Sequence, residues 1–208
     1  MNYICVTNRK MDENTYIVYN ENNKAIIIDP GFETDKILVE IEKLNLNVSD
    51  ILLTHGHFDH MFNIDVLKQK TGAMVWVHLD EKSVITDINK NYSASFFKDP
   101  FIVIPDNYFE EGNHNFNGIE LKILHTPGHT QGSCCFLCEK LNVVFTGDTI
   151  FRANIGRSDF ETGDHDQLIN SIRNKIFTLP DETIIMPGHH EETTVSFEKN
   201  NNPYLNVN

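Results

Sequence analysis

The chain has 208 residues, 40% of them apolar and 23% charged, proportions that suit a globular protein with a sizeable core and exclude a disordered or fibrous one. Thirty acidic against 17 basic residues give a formal charge of −13, with no run of five Lys or Arg, which argues against nucleic acid or an anionic membrane as partner. The opening MNYICVTNRKMDENTY holds no apolar stretch long enough for a signal peptide, and no later run approaches a membrane span, so one cytoplasmic domain over residues 1–208 is expected.

YICVT, TYIVYN and AIIID read as strands, the last two separated by the turn residues ENNK, and suggest an antiparallel start. After DPG, Ile37, Leu38, Ile41 and Leu44 fall at helical spacing, with Thr34 and Asp35 as candidate caps. DILLT reads as a buried strand, followed by one helix carrying Met61, Ile64 and Leu67. MVWV at 74–77 is a further strand, and a helix followed by an irregular excursion is expected over about 79–105.

From Gly118 strands return as IELKIL, SCCFLC and NVVFT. Alternation puts Cys134 and Cys138 on one face of their strand and Cys135 on the other, as buried reduced thiols. Gly163 and Asp164 start a helix with Leu168, Ile169, Ile172 and Ile176 on one face, and Gln167 stands where a capping box needs it. TIIMP reads as the last strand, and KNNNPYLNVN as a frayed end. Strands first, then strands alternating with helices, predict an α/β protein of the four-layer αββα type: two mixed β-sheets face to face with helices outside.

The densest chemistry lies in THGHFDH, Thr54 to His60. His55 and His57 are two apart, so in an extended turn their rings point the same way and can share one ion; Asp59 and His60 are offset toward a second. Partners stand where later strand-like runs end: His129 in TPGHT, Asp148 in FTGDT and His189 in MPGHH, each beside Gly or Pro. Asp29 in IIIDPG and Thr54 are candidates to fix a histidine tautomer. His78 and His125 read as structural, His114 and His165 as solvated, and His190, next to His189, as a candidate pocket residue.

THGHFDH, TPGHT, FTGDT and MPGH together resemble the metallo-β-lactamase superfamily, and their order and spacing resemble its short glyoxalase II-like branch across nearly the whole chain. The resemblance implies the αββα fold and a two-metal site: His55, His57 and His129 on one ion, Asp59, His60 and His189 on the other, Asp148 bridging. Ions roughly 3.5 Å apart would combine nucleophile generation with Lewis acidity, with Asp59 and Asp148 as the catalytic carboxylates. Zinc is the first expectation, and iron and manganese suit the same ligands.

The stretch FRANIGRSDFETGD resembles a segment shared by the short glyoxalase II-like hydrolases and the persulfide dioxygenases. Arg157 is a candidate to bind a substrate carboxylate, or else to pair with Asp159. The dioxygenases commonly read P-A-H where this chain has Pro187, Gly188 and His189, which favours the hydrolase. The C-terminal helical domain of full-length glyoxalase II enzymes is not expected after MPGHH. The expected activity is therefore hydrolysis of an acyl thioester such as S-lactoylglutathione. The alternatives are a mononuclear-iron persulfide dioxygenase and a non-catalytic metal-binding domain.

Overall fold

Strand-like runs that follow one another in the chain lie side by side in space, as a computed structural model covering residues 1–9 and 11–205 shows. β1 (Asn2–Thr7), β2 (Asn14–Tyr19) and β3 (Lys24–Ile28) are antiparallel. β4 (Asn47–Leu52), β5 (Met74–His78) and β6 (Asn107–Phe109) then add in parallel. Parallel neighbours need crossovers, and α1 (Thr34–Lys43), α2 (Phe58–Met61) and α3 (Ile64–Thr71) supply the first two.

The second sheet has the order β14-β13-β10-β9-β8-β7. Here β7 is Gly112–Phe116, β8 Ile119–His125, β9 Cys134–Cys138, β10 Val143–Gly147, β13 Ile184–Pro187 and β14 Thr193–Thr194. A small hairpin, β11 (Ile150–Phe151) and β12 (Asn154–Ile155), stands apart from both sheets.

Alternation along the strands builds three apolar layers. Val18, Ile26, Ile28 and Leu52 meet Ile123, Phe136 and Phe145 between the sheets, and Cys134 and Cys138 belong to this inner core. Ile27, Ile51 and Val75 face the other way, onto Ile37, Ile64 and Leu67 of the helices. Leu124, Cys135 and Val144 cover the far side of the second sheet against Leu168, Ile172 and Val195, contributed by α6 (His165–Ser171), the π-helical turn Ile172–Ile176 and α7 (Val195–Asn201). The expected αββα layering and the split of the cysteines both hold. No helix among the described residues is long and apolar enough to cross a membrane.

Several local expectations need correction. The helix α1 is capped at Glu33, without a side-chain bond, so neither Thr34 nor Asp35 caps it. Met61 and Ile64 belong to two helices, because the chain breaks at Phe62 and Asn63, where Asn63 N donates to Pro30 O. The stretch after β5 has only short helical pieces, Leu79–Glu81, α4 (Lys82–Ile85) and α5 (Ser93–Phe96). TIIMP is not the last strand, since β14 and α7 follow, and Asn202 and Leu205 in the asparagine-rich tail are buried. Residues 206–208 of that tail lie outside the described residues. Asp164 caps its helix as read, its carboxylate accepting from Gln167 N at 2.9 Å, but the capping box does not close, because Asp164 N donates to Gly128 O and Gln167 Nε2 turns to the Asp164 carboxylate at 3.3 Å instead.

Candidate metal centre

β8 and β10 are both antiparallel to β9, and β13 is parallel to β10, so all three run the same way. Their C-terminal ends therefore share one edge of the second sheet, and His129, Asp148 and His189 follow those ends. On the first sheet β4 ends at Leu52, and the turn after it carries His55 and His57 before α2 presents Asp59 and His60. Loop residues 70 or more positions apart thus meet on one rim.

His57 Nδ1 lies 2.9 Å from His129 Nε2, and the His55 ring packs edgewise on both, at 4.7 and 4.6 Å between centroids. The second cluster joins His60 Nε2 and His189 Nε2 at 3.3 Å, with Asp59 Oδ2 3.4 Å from His189 Nε2. Asp148 stands between the clusters. Its Oδ1 is 3.4 Å from His60 Nε2, and its Oδ2 is 3.6 Å from both His129 and His189 Nε2. Nitrogens bound at about 2.0–2.1 Å around a tetrahedral ion would be about 3.3 Å apart, so these spacings suit ligands of shared ions.

Hydrogen bonds aim the rings. His60 Nδ1 donates to Asp29 Oδ2 at 3.1 Å, His129 Nδ1 to the Arg157 carbonyl at 2.7 Å, and His189 Nδ1 to the Met11 carbonyl at 2.9 Å. The Thr54 hydroxyl donates to Asp29 Oδ2 at 2.6 Å and so accepts from His55 Nδ1, 3.1 Å away. With Nδ1 so engaged, each of these four rings turns Nε2 into the site as the nitrogen that would bind a metal. His57 is the exception, since its Nδ1 faces the cluster.

At the site, His55 Nε2 and Asp148 Oδ1 are buried with no hydrogen-bond partner, an arrangement costing about 1–3 kcal/mol per atom unless something else satisfies them. Five imidazoles and two carboxylates converging on such orphaned atoms fit a pair of divalent ions.

The charges agree. Burial, reinforced by His129, lowers His57 to about 3, and burial holds His55 well below and His129 below the usual histidine range. Three neutral imidazoles are what metal ligation needs. The second cluster differs: burial works against a charge on His60 and His189, but Asp148 and Asp59 push His60 well up and His189 up, so a metal binding there displaces protons. For Asp148 burial opposes ionisation, and His189 and His60 pull its carboxyl well down regardless.

Asp29 does more than form a turn. It adopts φ 48°, before Pro30, and its carboxylate accepts from Thr54 N, the Thr54 hydroxyl and His60. Sequence reasoning missed Glu81 altogether. Fully buried, it accepts from Gly56 N at 2.8 Å, and from Gly132 N and the Thr130 hydroxyl at 2.9 Å each. It therefore ties the turn between His55 and His57 to the loop that follows His129. Burial pushes its carboxyl up to about 7, against the pull of those three donors.

Arg157 lies at the mouth with its fork on Asp159, at 2.9 and 2.8 Å, and over the Phe160 ring. Both partners are more than two-thirds exposed, so the pair itself stabilises little. His190 is exposed at φ 66°, beside Phe151 and outside both clusters.

His78, Asp80 and His125 form a separate group, but the two rings stack at 4.1 Å and 13°. Their in-plane lone pairs run parallel and do not converge on one ion, and His78 Nδ1 accepts from Asp80 N while His125 Nε2 meets the Gln131 carbonyl. His114 and His165 bond to Glu110 O and Ser158 Oγ, away from the centre.

A family model described as "Metallo-beta-lactamase superfamily" matches residues 9–189. The chain is similar to a protein of Haemophilus influenzae named hydroxyacylglutathione hydrolase GloC, at 38% identity over 210 residues covering 99% of each chain. Among solved structures it is similar to BLEG-1 B3 metallo-beta-lactamase, with TM-score 0.94 and 32% identity over 99% of this chain and 100% of that one. TTHA1623 in a di-iron-bound form is similar at TM-score 0.86 and 32% identity, over 97% of this chain and 100% of the other.

Proposed function

The chain belongs to the metallo-beta-lactamase superfamily, and from that membership we propose that this metallo-hydrolase cleaves acyl thioesters of the S-lactoylglutathione type. The observation that carries the reading is the placement of Asp148, one carboxylate within 3.6 Å of histidines from both clusters. The name of the Haemophilus influenzae relative, a hydroxyacylglutathione hydrolase, supports the thioester as substrate class.

In this reading His55, His57 and His129 hold one ion, Asp59, His60 and His189 the other, and Asp148 reaches both. Bound divalent ions supply a water acidic enough to attack at neutral pH and polarise a carbonyl oxygen. Asp59 lines the cleft beside the site, where its carboxylate accepts a hydrogen bond from the attacking water and orients it. The bond to sulfur breaks without a strong general acid, because a thiolate leaves readily. Zinc is the proposed metal; the ligands suit iron and manganese equally, and the di-iron form of TTHA1623 supports a pair of ions. The proposed partner is a small-molecule thioester, with neither nucleic acid nor membrane involved.

Thiol release from S-D-lactoylglutathione by protein of known metal content, with Asp148→Ala beside wild type, tests this. Wild-type turnover that the variant loses together with metal supports it, and full activity and metal content in Asp148→Ala would sink it. Oxygen uptake with glutathione persulfide in place of thiol release would move the assignment to a dioxygenase. A second reading, β-lactam hydrolysis, is favoured by the likeness to BLEG-1, and ring opening of a chromogenic cephalosporin measures it in the same preparation.

A further inference from the structure

A cleft of about 310 Å³ opens directly beside His57 and Asp59. Its walls are aromatic. Phe58 and Phe96 stack at 4.4 Å, and Tyr92 and Phe160 lie 4.9 Å apart with their rings against His57, at 5.4 and 4.8 Å. Phe96, stacked on Phe58, is still 62% exposed at the mouth of a polar metal-ligand cluster.

Arg157 is the one cation among the described lining residues, and Asp159 already takes both arms of its fork. With both arms of its fork on Asp159, Arg157 gives a carboxylate-bearing group no free donor fork in the cleft. At about 310 Å³ it sits at the small end of ligand pockets, which run from roughly 300 to 1,000 Å³, and holds one arm of a substrate.

We propose that this cleft receives the acyl arm of the thioester and selects an apolar one, aryl or medium-chain alkyl, over a small hydroxyacyl group. The inference rests on the thioesterase reading and deepens it. The polar thiol arm then points to solvent, where the thiol carrier is weakly recognised. Water adds at the acyl carbon, the carbon–sulfur bond breaks, and the products are the apolar carboxylic acid and the thiol, which takes up the remaining proton.

Thioesters of one uncharged thiol, N-acetylcysteamine, isolate the acyl group. For metal-loaded wild type, kcat/KM for the phenylacetyl and hexanoyl thioesters is expected to exceed that for the lactoyl thioester by tenfold or more, the scale that apolar pockets achieve. Phe96→Ala, which removes an exposed ring that touches no metal ligand, is expected to lower kcat/KM three- to tenfold on the phenylacetyl thioester, through KM, and by less than twofold on the lactoyl one. Equal or better turnover of the lactoyl thioester, or equal loss on both in Phe96→Ala, overturns the apolar selectivity and leaves the thioesterase standing. Turnover of S-D-lactoylglutathione but of none of the three overturns this proposal, because the thiol arm is then required, and leaves the thioesterase standing; turnover of neither overturns both readings.

Discussion

A Cβ placed on Gly188 would lie 2.4 Å from Asp148 Oδ1 and 2.7 Å from His60 Cε1. Only the bare backbone of a glycine lets the Asp148 carboxylate stand between the two clusters. An alanine forces one group aside, and the carboxylate, at the end of a flexible side chain, yields more easily than the buried His60 ring. Gly188→Ala is therefore expected to lower the metal-to-protein ratio after dialysis to about half that of wild type, read by elemental analysis. An unchanged ratio would refute the idea that Gly188 controls how many ions the site holds.

Glu81 predicts a different defect. In Glu81→Gln one end of the amide is an N–H₂ group facing donors that the carboxylate now accepts from, Gly56 N on one side and Gly132 N on the other. One buried donor is left unmatched, at about 1–3 kcal/mol, or a Tm lower by roughly 2–12 °C for a chain of this size. Metal affinity at the histidine cluster should fall as well, because both of its loops lose their shared anchor. Scanning calorimetry and chelator competition check the two parts, and a wild-type Tm would show that the carboxylate is dispensable.

Among the candidate ligands, His55, His57, His129, Asp148 and His189 are legible in the sequence because each sits beside Gly just past an apolar run, and Asp59 and His60 because they share the crowded THGHFDH turn. Glu81 is not: it follows a strand in an ordinary polar stretch, and its partners Gly56 and Gly132 come from 25 and 51 positions away. The break between α2 and α3 is hidden for another reason. Met61, Ile64 and Leu67 keep near-helical spacing across it, and what stops the helix is a backbone bond from Asn63 to Pro30 that no local pattern announces. Strands β6 and β7 escape because their sequence, NYF and GNHNF, alternates poorly and half faces solvent. Gly188 is visible as a residue, but its reason, the proximity of Asp148, exists only in three dimensions.

Asp29 holds His60 directly and His55 through the Thr54 hydroxyl, so one carboxylate serves both clusters. Asp29→Asn keeps an acceptor for one of these donors and turns an N–H₂ group toward another. Loss of such an orienting partner typically costs 10- to 100-fold in metal affinity. That range is expected here, measured by competition with a chromogenic chelator. An affinity within twofold of wild type would reduce Asp29 to a turn residue.

His78 makes a prediction about pH. Burial, and then the stacked His125, lower it to about 4, against about 6.5 for an unperturbed histidine. Between those values the folded chain binds fewer protons at this site than the unfolded chain. The stability that neutral His78 contributes is thus complete above pH 6.5 and drains away as pH falls toward 4. His78→Asn keeps an acceptor for Asp80 N, 3.3 Å from Nδ1 in the native chain, and cannot titrate. Loss of metal at low pH affects both proteins alike, so the informative quantity is the difference in Tm between them across pH 7.5 to 4.5. Wild type should lose its lead over the variant as pH falls, and parallel Tm curves would mean that His78 keeps an ordinary histidine pKa in the folded protein.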